Sequence, residues 1–428
     1  MTEKIDWYDE FVDLNYTPAK NDLICLYYFE PAKGINAKEA IGRIASESSA
    51  GTWTTLHELP ARVARIKARA FELNGRYVKV AYPIDLWEPG NAPQLLSGIA
   101  GNIFGMKALR NLRLMDASLP AKYISSFKGP HHGISGIRSL LKVKERPITG
   151  AVPKPKIGFS AAEHAGVAYE TWMGGFDLVK DDENLTSTSF NRFEERVERM
   201  AKLRDKAQKQ TGDEKDALLN ITGETKEMIR RAKLLSDSGF RFAMIDVVTC
   251  GTASVQTLRE ECGDLGLAIH AHRAMHAVFD RNPKHGITMY FLAKLMRLVG
   301  VDEIHAGTAV GKLVSTKKEI TQIAAVLRDP AITEPLPQDW GSIKPALPVS
   351  SGGLHPGLIP SVMRILGNDC TLLVSGGIHG HPEGTRAGAM ATMQAIEASM
   401  EGIDLREYAK KHKELQQALE KWEYLKPK

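Results

Sequence analysis

Short apolar runs alternate with longer amphipathic ones from about residue 145 onward, and each apolar run ends in polar or glycine-rich residues. This rhythm is typical of repeated βα units. The longer runs have helical spacing: Met228, Ala232 and Leu235 share one face of a predicted helix, and Gly239 is its stop signal. Eight candidate strands lead into residues 152–154, 178–180, 219–221, 245–248, 268–270, 304–305, 346–349 and 372–374.

Eight βα units in series close most economically as a (β/α)₈ TIM barrel, whose functional groups lie at the carboxyl ends of the strands. We predict such a barrel over residues 131–428, ending in a helical tail. Residues 1–130 follow a different pattern, with strand-like and helix-like segments that predict a smaller α+β, ferredoxin-like domain with an antiparallel sheet. The strand-like segments there are residues 23–31, 62–73 and 76–86.

Composition narrows the class of protein. The chain has 428 residues, of which 43% are hydrophobic and 25% charged, and no apolar run approaches the roughly 18 residues of a membrane span. The first ten residues carry no export signal, so we expect a cytoplasmic protein without a membrane partner. The net charge of +5 is interleaved with acids, so solvated helix faces explain it better than a nucleic-acid site, and an anionic small substrate fits it equally well. The four cysteines are scattered, and we expect free thiols.

The predicted strand ends carry groups that do not belong in a core. Each has an ordinary alternative, since a Lys-Asp-Asp-Glu turn is more often a surface salt bridge, but their shared position at one rim favours a site. Asp182 and Glu183 suit Mg²⁺, which prefers oxygen ligands. Lys180 beside them is either a counterion or a residue converted into an oxygen donor. The strand-end groups are Lys154, Lys156, Lys180, Asp182, Glu183, His272, Arg273, His305, Ser351, Gly352, Gly353, Ser375 and Gly376.

Glycine-rich strand ends expose backbone N–H groups, with which a barrel commonly holds a phosphate between its last strands. Residues 350–353 and 375–377 are of this kind. Arg273 and His305 form a second cationic cluster for another anion. From the residues alone, the rim therefore predicts a Mg²⁺ enzyme that acts on a substrate with two phosphates.

Residues 174–187, GGFDLVKDDENLTS, resemble the metal-site signature of the ribulose-1,5-bisphosphate carboxylase/oxygenase (Rubisco) large subunit. Seven further segments are similar to that family in order and spacing, from about residue 40 to 400: ESSAGTWTT, GNIFGMKALR, PKPKIG, HAHRAMHAVFDR, HAGTAVGKL, SSGGLHPG and SGGIHGHPEG. The resemblance implies that CO₂ carbamylates Lys180 and that the carbamate binds Mg²⁺ beside Asp182 and Glu183. It implies addition of CO₂ or O₂ to the Mg²⁺-bound enediolate of ribulose 1,5-bisphosphate, with two 3-phosphoglycerates formed from CO₂.

The resemblance also implies residue roles. Lys154 would be the general base or proton relay, tuned by Lys156, with His272 as a further acid/base group. Lys312, on the loop after the sixth strand, would close over the substrate. Glu47 and Asn102 would reach the barrel of a partner subunit, which implies a homodimer or a multiple of it. The substrate contacts would be Arg273 and His305 on one phosphate, Thr52, Trp53, Gly352, Gly353, Ser375 and Gly376 on or beside the other, and Ser351 on the sugar.

Three departures from the plant-type pattern are informative. Val152 stands where threonine is usual, Ser375 replaces a glycine of the phosphate turn, and GGLHPG follows Ser351. The first and third resemble the archaeal form III branch, which needs no small subunit and is linked to nucleotide (AMP) salvage.

Two alternatives remain. A Rubisco-like sugar-phosphate enolase or isomerase shares the barrel and the carbamylated lysine, but such relatives typically lose several residues that this chain keeps, including Lys154 and Lys312. A non-catalytic sugar-phosphate sensor would not need both of these lysines beside a complete metal triad. The carboxylase is therefore the preferred hypothesis.

Overall fold

The structure is a computed structural model that describes residues 7–54, 56, 60–308, 310 and 316–423. The chain forms two compact units. The first contains Met1–Lys128, Met275–Val299 and Asp329–Ile343, and the second contains Gly129–Ala274, Gly300–Arg328 and Lys344–Lys428. The two units are not the two continuous stretches 1–130 and 131–428, since two later segments of the chain are part of the first unit. The domain limit at residue 130 therefore stays a prediction.

The strands of the described residues are β1 Leu23–Pro31, β2 Arg69–Asn74, β3 Tyr77–Tyr82, β4 Leu109–Ser118, β5 Ile148–Ala151, β6 Leu178–Lys180, β7 Asp216–Leu218, β8 Phe242–Asp246, β9 Ala268–His272, β10 Gly286–Ile287, β11 Glu303–His305, β12 Ala331–Ile332, β13 Gln338–Asp339, β14 Leu347–Ser351 and β15 Thr371–Leu373.

The α-helices of the same residues are α1 Ala37–Glu47, α2 Ala61–Arg65, α3 Ala92–Ile99, α4 Ala121–Ile124, α5 Gly133–Leu141, α6 Ala161–Met173, α7 Phe193–Thr211, α8 Thr225–Asp237, α9 Val247–Asp264, α10 His276–Asp280, α11 Met289–Val299, α12 Lys317–Arg328, α13 Ile359–Leu366, α14 Gly376–His379, α15 Gly384–Glu401, α16 Leu405–Ala409 and α17 Lys413–Trp422. Short 3₁₀ helices cover Trp7–Phe11, Ile84–Leu86, Asn102–Gly105 and Pro356–Leu358.

The first unit is built on a five-stranded sheet of order β10-β4-β1-β3-β2. Strand β1 pairs antiparallel with β3 and β4, and β2 pairs antiparallel with β3. Alternate residues of β1, from Leu23 to Phe29, are buried, because one face of the strand packs on the core. With α1 between β1 and β2 and α3 between β3 and β4, the predicted ferredoxin-like α+β arrangement is confirmed.

The second unit is a barrel of eight parallel strands of order β7-β6-β5-β15-β14-β11-β9-β8. The ring closes through the residues after β7, since Ile221 N–H donates to Met244 O and Met244 N–H donates to Leu219 O, both at 3.0 Å. Every residue of β5 and β8 is buried, as expected for strands covered on both faces. The eight predicted barrel strands are confirmed, although β7 ends at Leu218, before the predicted segment 219–221.

Apolar packing fills the amino-terminal end of the barrel. The first residues of several strands, among them Ile148, Leu178 and Phe242, form one buried cluster with Ile137 and Leu141 of α5. The polar strand ends therefore lie at the opposite, carboxyl-terminal end. Cys25, Cys250, Cys262 and Cys370 are free, as predicted. Within the described part of the chain, none of the helices is long and apolar enough to span a bilayer.

Candidate active site

Strand β6 ends at Lys180, whose side chain is only 1% exposed. Its Nζ donates to the backbone oxygen of Asp181 at 2.8 Å. Burial lowers the pKa of Lys180 to about 8, although the nearby charges of Glu183, Asp246 and Asp182 oppose this change. A lysine with such a pKa is partly neutral near pH 7 and can act as a nucleophile.

Two lysines that follow β5 face the carboxylates that follow β6. Lys154 Nζ lies 3.5 Å from Asp182 Oδ2, and Lys156 Nζ lies 3.1 Å from Glu183 Oε1. Burial is the main cause that lowers the pKa of Lys154; the charge of Lys156 acts in the same direction and Asp182 opposes it. For Lys156, burial is outweighed by the bond to Glu183, and its pKa is raised. Lys154 is therefore the better proton acceptor of the two.

His272, at the end of β9, is held by a carboxylate on the neighbouring strand. Its Nδ1 lies 2.8 Å from Asp246 Oδ1, and its Nε2 lies 3.8 Å from Glu183 Oε2. Burial and then the charge of Lys180 lower the pKa of His272. The carboxylate of Asp246 favours a proton on Nδ1 of a neutral His272, which leaves Nε2 free to act as a base. The Ala274 N–H, 3.2 Å from the same Nδ1, favours the other tautomer.

His305, at the end of β11, has both ring nitrogens engaged within the protein. Its Nε2 is 3.0 Å from His270 Nε2, and its Nδ1 is 2.8 Å from Ser351 Oγ. The predicted contact of His305 with a phosphate would replace one of these bonds, and it stays a prediction. Arg273, the other predicted ligand of this phosphate, follows β9 and is buried.

The glycines that follow β14 have a backbone conformation that favours glycine. Gly352 and Gly353 have φ values of +109° and +78°, which residues with a side chain rarely adopt. The Ser375 hydroxyl accepts a hydrogen bond from Val152 N–H at 3.0 Å. The two departures at 152 and 375 thus form one contact between the ends of β5 and β15, in which the serine oxygen is already engaged. Gly376 begins α14 beside this contact.

Most of the predicted barrel residues line one cavity of about 250 Å³. Its walls come from the ends of β5, β6, β9, β11, β14 and β15, so that groups distant in sequence share one space. The lining residues are Val152, Lys154, Lys156, Lys180, Asp182, Glu183, His272, His305, Ser351, Gly352, Gly353, Leu373, Ser375 and Gly376.

The remaining predicted residues are placed differently. Glu47 ends α1 and Asn102 begins a 3₁₀ helix of the first unit, and both are exposed. Thr52 is half-buried, whereas Trp53 is 85% exposed. Lys312 lies outside the described residues.

The sequence did not predict the buried ion pair that lies beneath the strand-end residues of the cavity. Asp181 stands between Lys180 and Asp182 but points away from them: its Oδ2 is 3.1 Å from Arg196 Nε of α7 and accepts from Asn220 N–H at 3.0 Å. Both Asp181 and Arg196 are fully buried. A fully buried charge on the polar helix α7 has no signature in the sequence, because periodicity predicts exposed arginines there.

Whether Mg²⁺ fits this cavity depends on the oxygen donors that line it. Among the described residues, no three histidine, cysteine, aspartate or glutamate side chains are arranged as a metal site. Asp182 and Glu183 supply two hard oxygen donors, and a third protein ligand would come from another residue type. Lys180, buried beside them, provides that donor once its amine carries a carboxyl group. The residues present therefore fit a magnesium site completed by modification of Lys180.

The fold and the cavity define an enzyme of the (β/α)₈-barrel class, with lysine, carboxylate and histidine side chains at the carboxyl ends of its strands. Comparison with known proteins specifies the family. The chain matches the ribulose bisphosphate carboxylase large chain catalytic domain over residues 133–422 and the corresponding N-terminal domain over residues 10–123. The chain therefore belongs to the ribulose bisphosphate carboxylase large-chain family, and the predicted enzyme class is confirmed.

Relatives that match nearly the whole chain include archaeal proteins, as the resemblance implied. The chain is 53% identical to a ribulose bisphosphate carboxylase of Pyrococcus abyssi, over 99% of both chains. A solved octameric Rubisco from Pyrococcus horikoshii has a TM-score of 0.92 and 51% identity, over 98% of this chain and 97% of the other. A dimeric archaeal Rubisco from Hyperthermus butylicus has a TM-score of 0.93 and 47% identity, over 98% of this chain and 100% of the other.

Proposed function

We propose that this enzyme carboxylates ribulose 1,5-bisphosphate to two molecules of 3-phosphoglycerate, with O₂ as a competing substrate. The observation that carries the proposal is Lys180, buried at the end of β6 with a pKa of about 8 and next to Asp182 and Glu183 in the barrel cavity. A buried lysine that is partly neutral near pH 7, next to two carboxylates, has the reactivity that a carbamate-completed magnesium site requires.

CO₂ first reacts with the neutral Lys180 amine, which loses a proton and becomes a carbamate. The carbamate, Asp182 and Glu183 would hold Mg²⁺. When bound, the metal supplies a Lewis acid that stabilises negative charge on substrate oxygens.

The side chains around this site move protons and hold the substrate. Lys154, whose pKa is lowered by burial, takes the proton whose removal gives the enediolate, and the Nε2 of His272 exchanges a further proton. Ser351 bonds a sugar hydroxyl, and the backbone N–H groups near Gly353 and Gly376 bind one phosphate. Arg273 binds the other phosphate, and Lys312 closes over the bound substrate.

We further propose that the enzyme is a homodimer or a multiple of dimers, without a small subunit. Glu47, Asn102 and Trp53 are exposed in the first unit and are available to complete the barrel of a partner chain. The related solved structures are described as dimeric and octameric, which fits this assembly. We also propose a role in nucleotide (AMP) salvage, from the resemblance of Val152 and of residues 352–357 to the archaeal form III branch.

The purified enzyme tests the proposal when it is incubated with ribulose 1,5-bisphosphate, Mg²⁺ and labelled bicarbonate. Labelled 3-phosphoglycerate is the expected product. Proton exchange at C3 of the substrate without labelled product would instead identify the Rubisco-like enolase or isomerase. Neither exchange nor product, with the sugar bisphosphate bound, would identify a sensor.

A further inference from the structure

A buried chain of four side chains leads from the interior of the barrel to the cavity. Glu303 Oε1 lies 2.6 Å from His270 Nδ1, His270 Nε2 lies 3.0 Å from His305 Nε2, and His305 Nδ1 lies 2.8 Å from Ser351 Oγ. Glu303 and His270 are completely buried, and His305 is 5% exposed. Ser351 lines the cavity at the end of this chain.

The direction of each hydrogen bond follows from Glu303, at the buried end of the chain of side chains. The second oxygen of Glu303 accepts from the Thr371 hydroxyl at 2.8 Å, so the carboxylate is an acceptor on both sides. His270 therefore carries its proton on Nδ1. Burial lowers the pKa values of both His270 and His305, so each neutral ring has a single N–H. The Nε2 of His270 must then accept from the Nε2–H of His305.

The same rule fixes the last bond. With its proton on Nε2, His305 can only accept at Nδ1, so the Ser351 hydroxyl donates its hydrogen inward. Towards the cavity Ser351 then presents lone pairs alone. It can accept a hydrogen bond from a hydroxyl group but cannot donate one to a phosphate or carboxylate oxygen.

We propose that Glu303 is a positioning residue that acts through His270 and His305 to hold Ser351 as a hydrogen-bond acceptor for a hydroxyl group of the sugar. The inference rests on the proposed function for the identity of that sugar. An accepting Ser351 makes the cavity selective for a hydroxyl group of the sugar at this point. Glu303 then has a role although it touches no substrate.

The variant Glu303→Met removes the acceptor at the buried end while nearly keeping the side-chain length. We expect kcat/KM for ribulose 1,5-bisphosphate to fall about tenfold, as for one mispaired buried hydrogen bond. In a Ser351→Ala background the same change should lower kcat/KM less than about twofold, since the affected hydroxyl is absent. Thr371→Val, which also removes a bond to Glu303 but leaves the histidine chain intact, should lose stability and keep its kcat/KM.

A second readout does not depend on activity. Nitrogen-15 NMR of the histidine-labelled enzyme, assigned by loss of the signals in His305→Asn, should show His305 protonated on Nε2, and Glu303→Met should mix the two tautomers. A wild-type His305 protonated on Nδ1 would overturn the inference, as would an equal effect of Glu303→Met with and without the Ser351 hydroxyl. Failure of wild-type carboxylation would instead reject the proposed function, with the tautomer still deciding the role of Glu303.

Discussion

Burial changes the pKa of Lys180 more than the neighbouring charges do. Four carboxylates near the amine favour its protonated form, yet its pKa falls to about 8, because removal of the ammonium from water costs more than the attraction of these charges offsets. The sequence identified Lys180 as anomalous beside two acids. The burial that makes the amine reactive comes from residues of several strands, and no local pattern contains that information.

The pKa of Lys180 predicts the pH dependence of activation by CO₂. Only the neutral amine attacks CO₂, so the activation rate at fixed dissolved CO₂ should rise with pH and level off above about pH 8. At pH 7 the neutral fraction is roughly 300 times that of a lysine with an ordinary pKa. Trapping of labelled CO₂ on the metal-free enzyme, followed from pH 6 to pH 10, measures the midpoint.

Lys215 provides the matched control for this measurement. It is also a fully buried lysine, but it pairs with Asp213 away from the cavity. Lys215→Arg should trap CO₂ as the wild type does, and Lys180→Arg should trap none at the site. A midpoint near pH 10 in the wild type would show that burial does not activate Lys180.

At the scale of elements, helix α7 holds the loop that follows β6 through Arg196. Arg196 of α7 bonds Asp181 through Nε and the backbone oxygen of Thr186 through Nη2 at 2.7 Å. Burial raises the pKa of Asp181, but Arg196 and His164 outweigh it, so the pKa lies below its ordinary value. The sequence predicted β6 and α7 as a strand and a helix. It did not predict this ion pair, because pairing partners are set by the packing of the helix on the barrel.

Loss of one member of this pair should be costly, since the other becomes an uncompensated buried charge. We expect Arg196→Met to lower the free energy of unfolding by about 3 kcal/mol. Arg199→Met, on the same helix, removes an exposed pair with Glu195 and should cost less than about 1 kcal/mol. Urea denaturation measures both; equal losses would mean that the Asp181–Arg196 pair does not stabilise the loop.

At the scale of the whole molecule, the rhythm of βα units was sufficient to predict the barrel and its eight strands. It did not predict that 275–299 and 329–343 belong to the first unit. In that unit Lys294 of α11 bonds Asp116 of β4 at 2.6 Å, with both side chains completely buried. Residues so far apart in sequence are joined by tertiary contacts, which periodicity along the chain does not report.

The proposed sharing of sites between subunits predicts complementation. Glu47→Gln and Lys180→Arg should each be inactive alone, because each removes one part of every site. Co-expressed, they should form heterodimers in which one site carries both changes and the other carries neither, so each heterodimer should have at most about half of the activity of a wild-type dimer. Mass spectrometry checks that heterodimers are present. Heterodimers without activity would place Glu47 and Lys180 of one chain in the same site.

Carboxylation by enzyme pretreated with CO₂ and Mg²⁺ tests the central claim most directly. The initial rate of labelled 3-phosphoglycerate formation from ribulose 1,5-bisphosphate should be high after pretreatment, low without it, and absent in a folded Lys180→Arg variant. An unmodified arginine cannot become an oxygen ligand for the metal. Equal rates with and without pretreatment, or normal turnover by Lys180→Arg, would contradict the assignment of Lys180 and with it the proposed magnesium site.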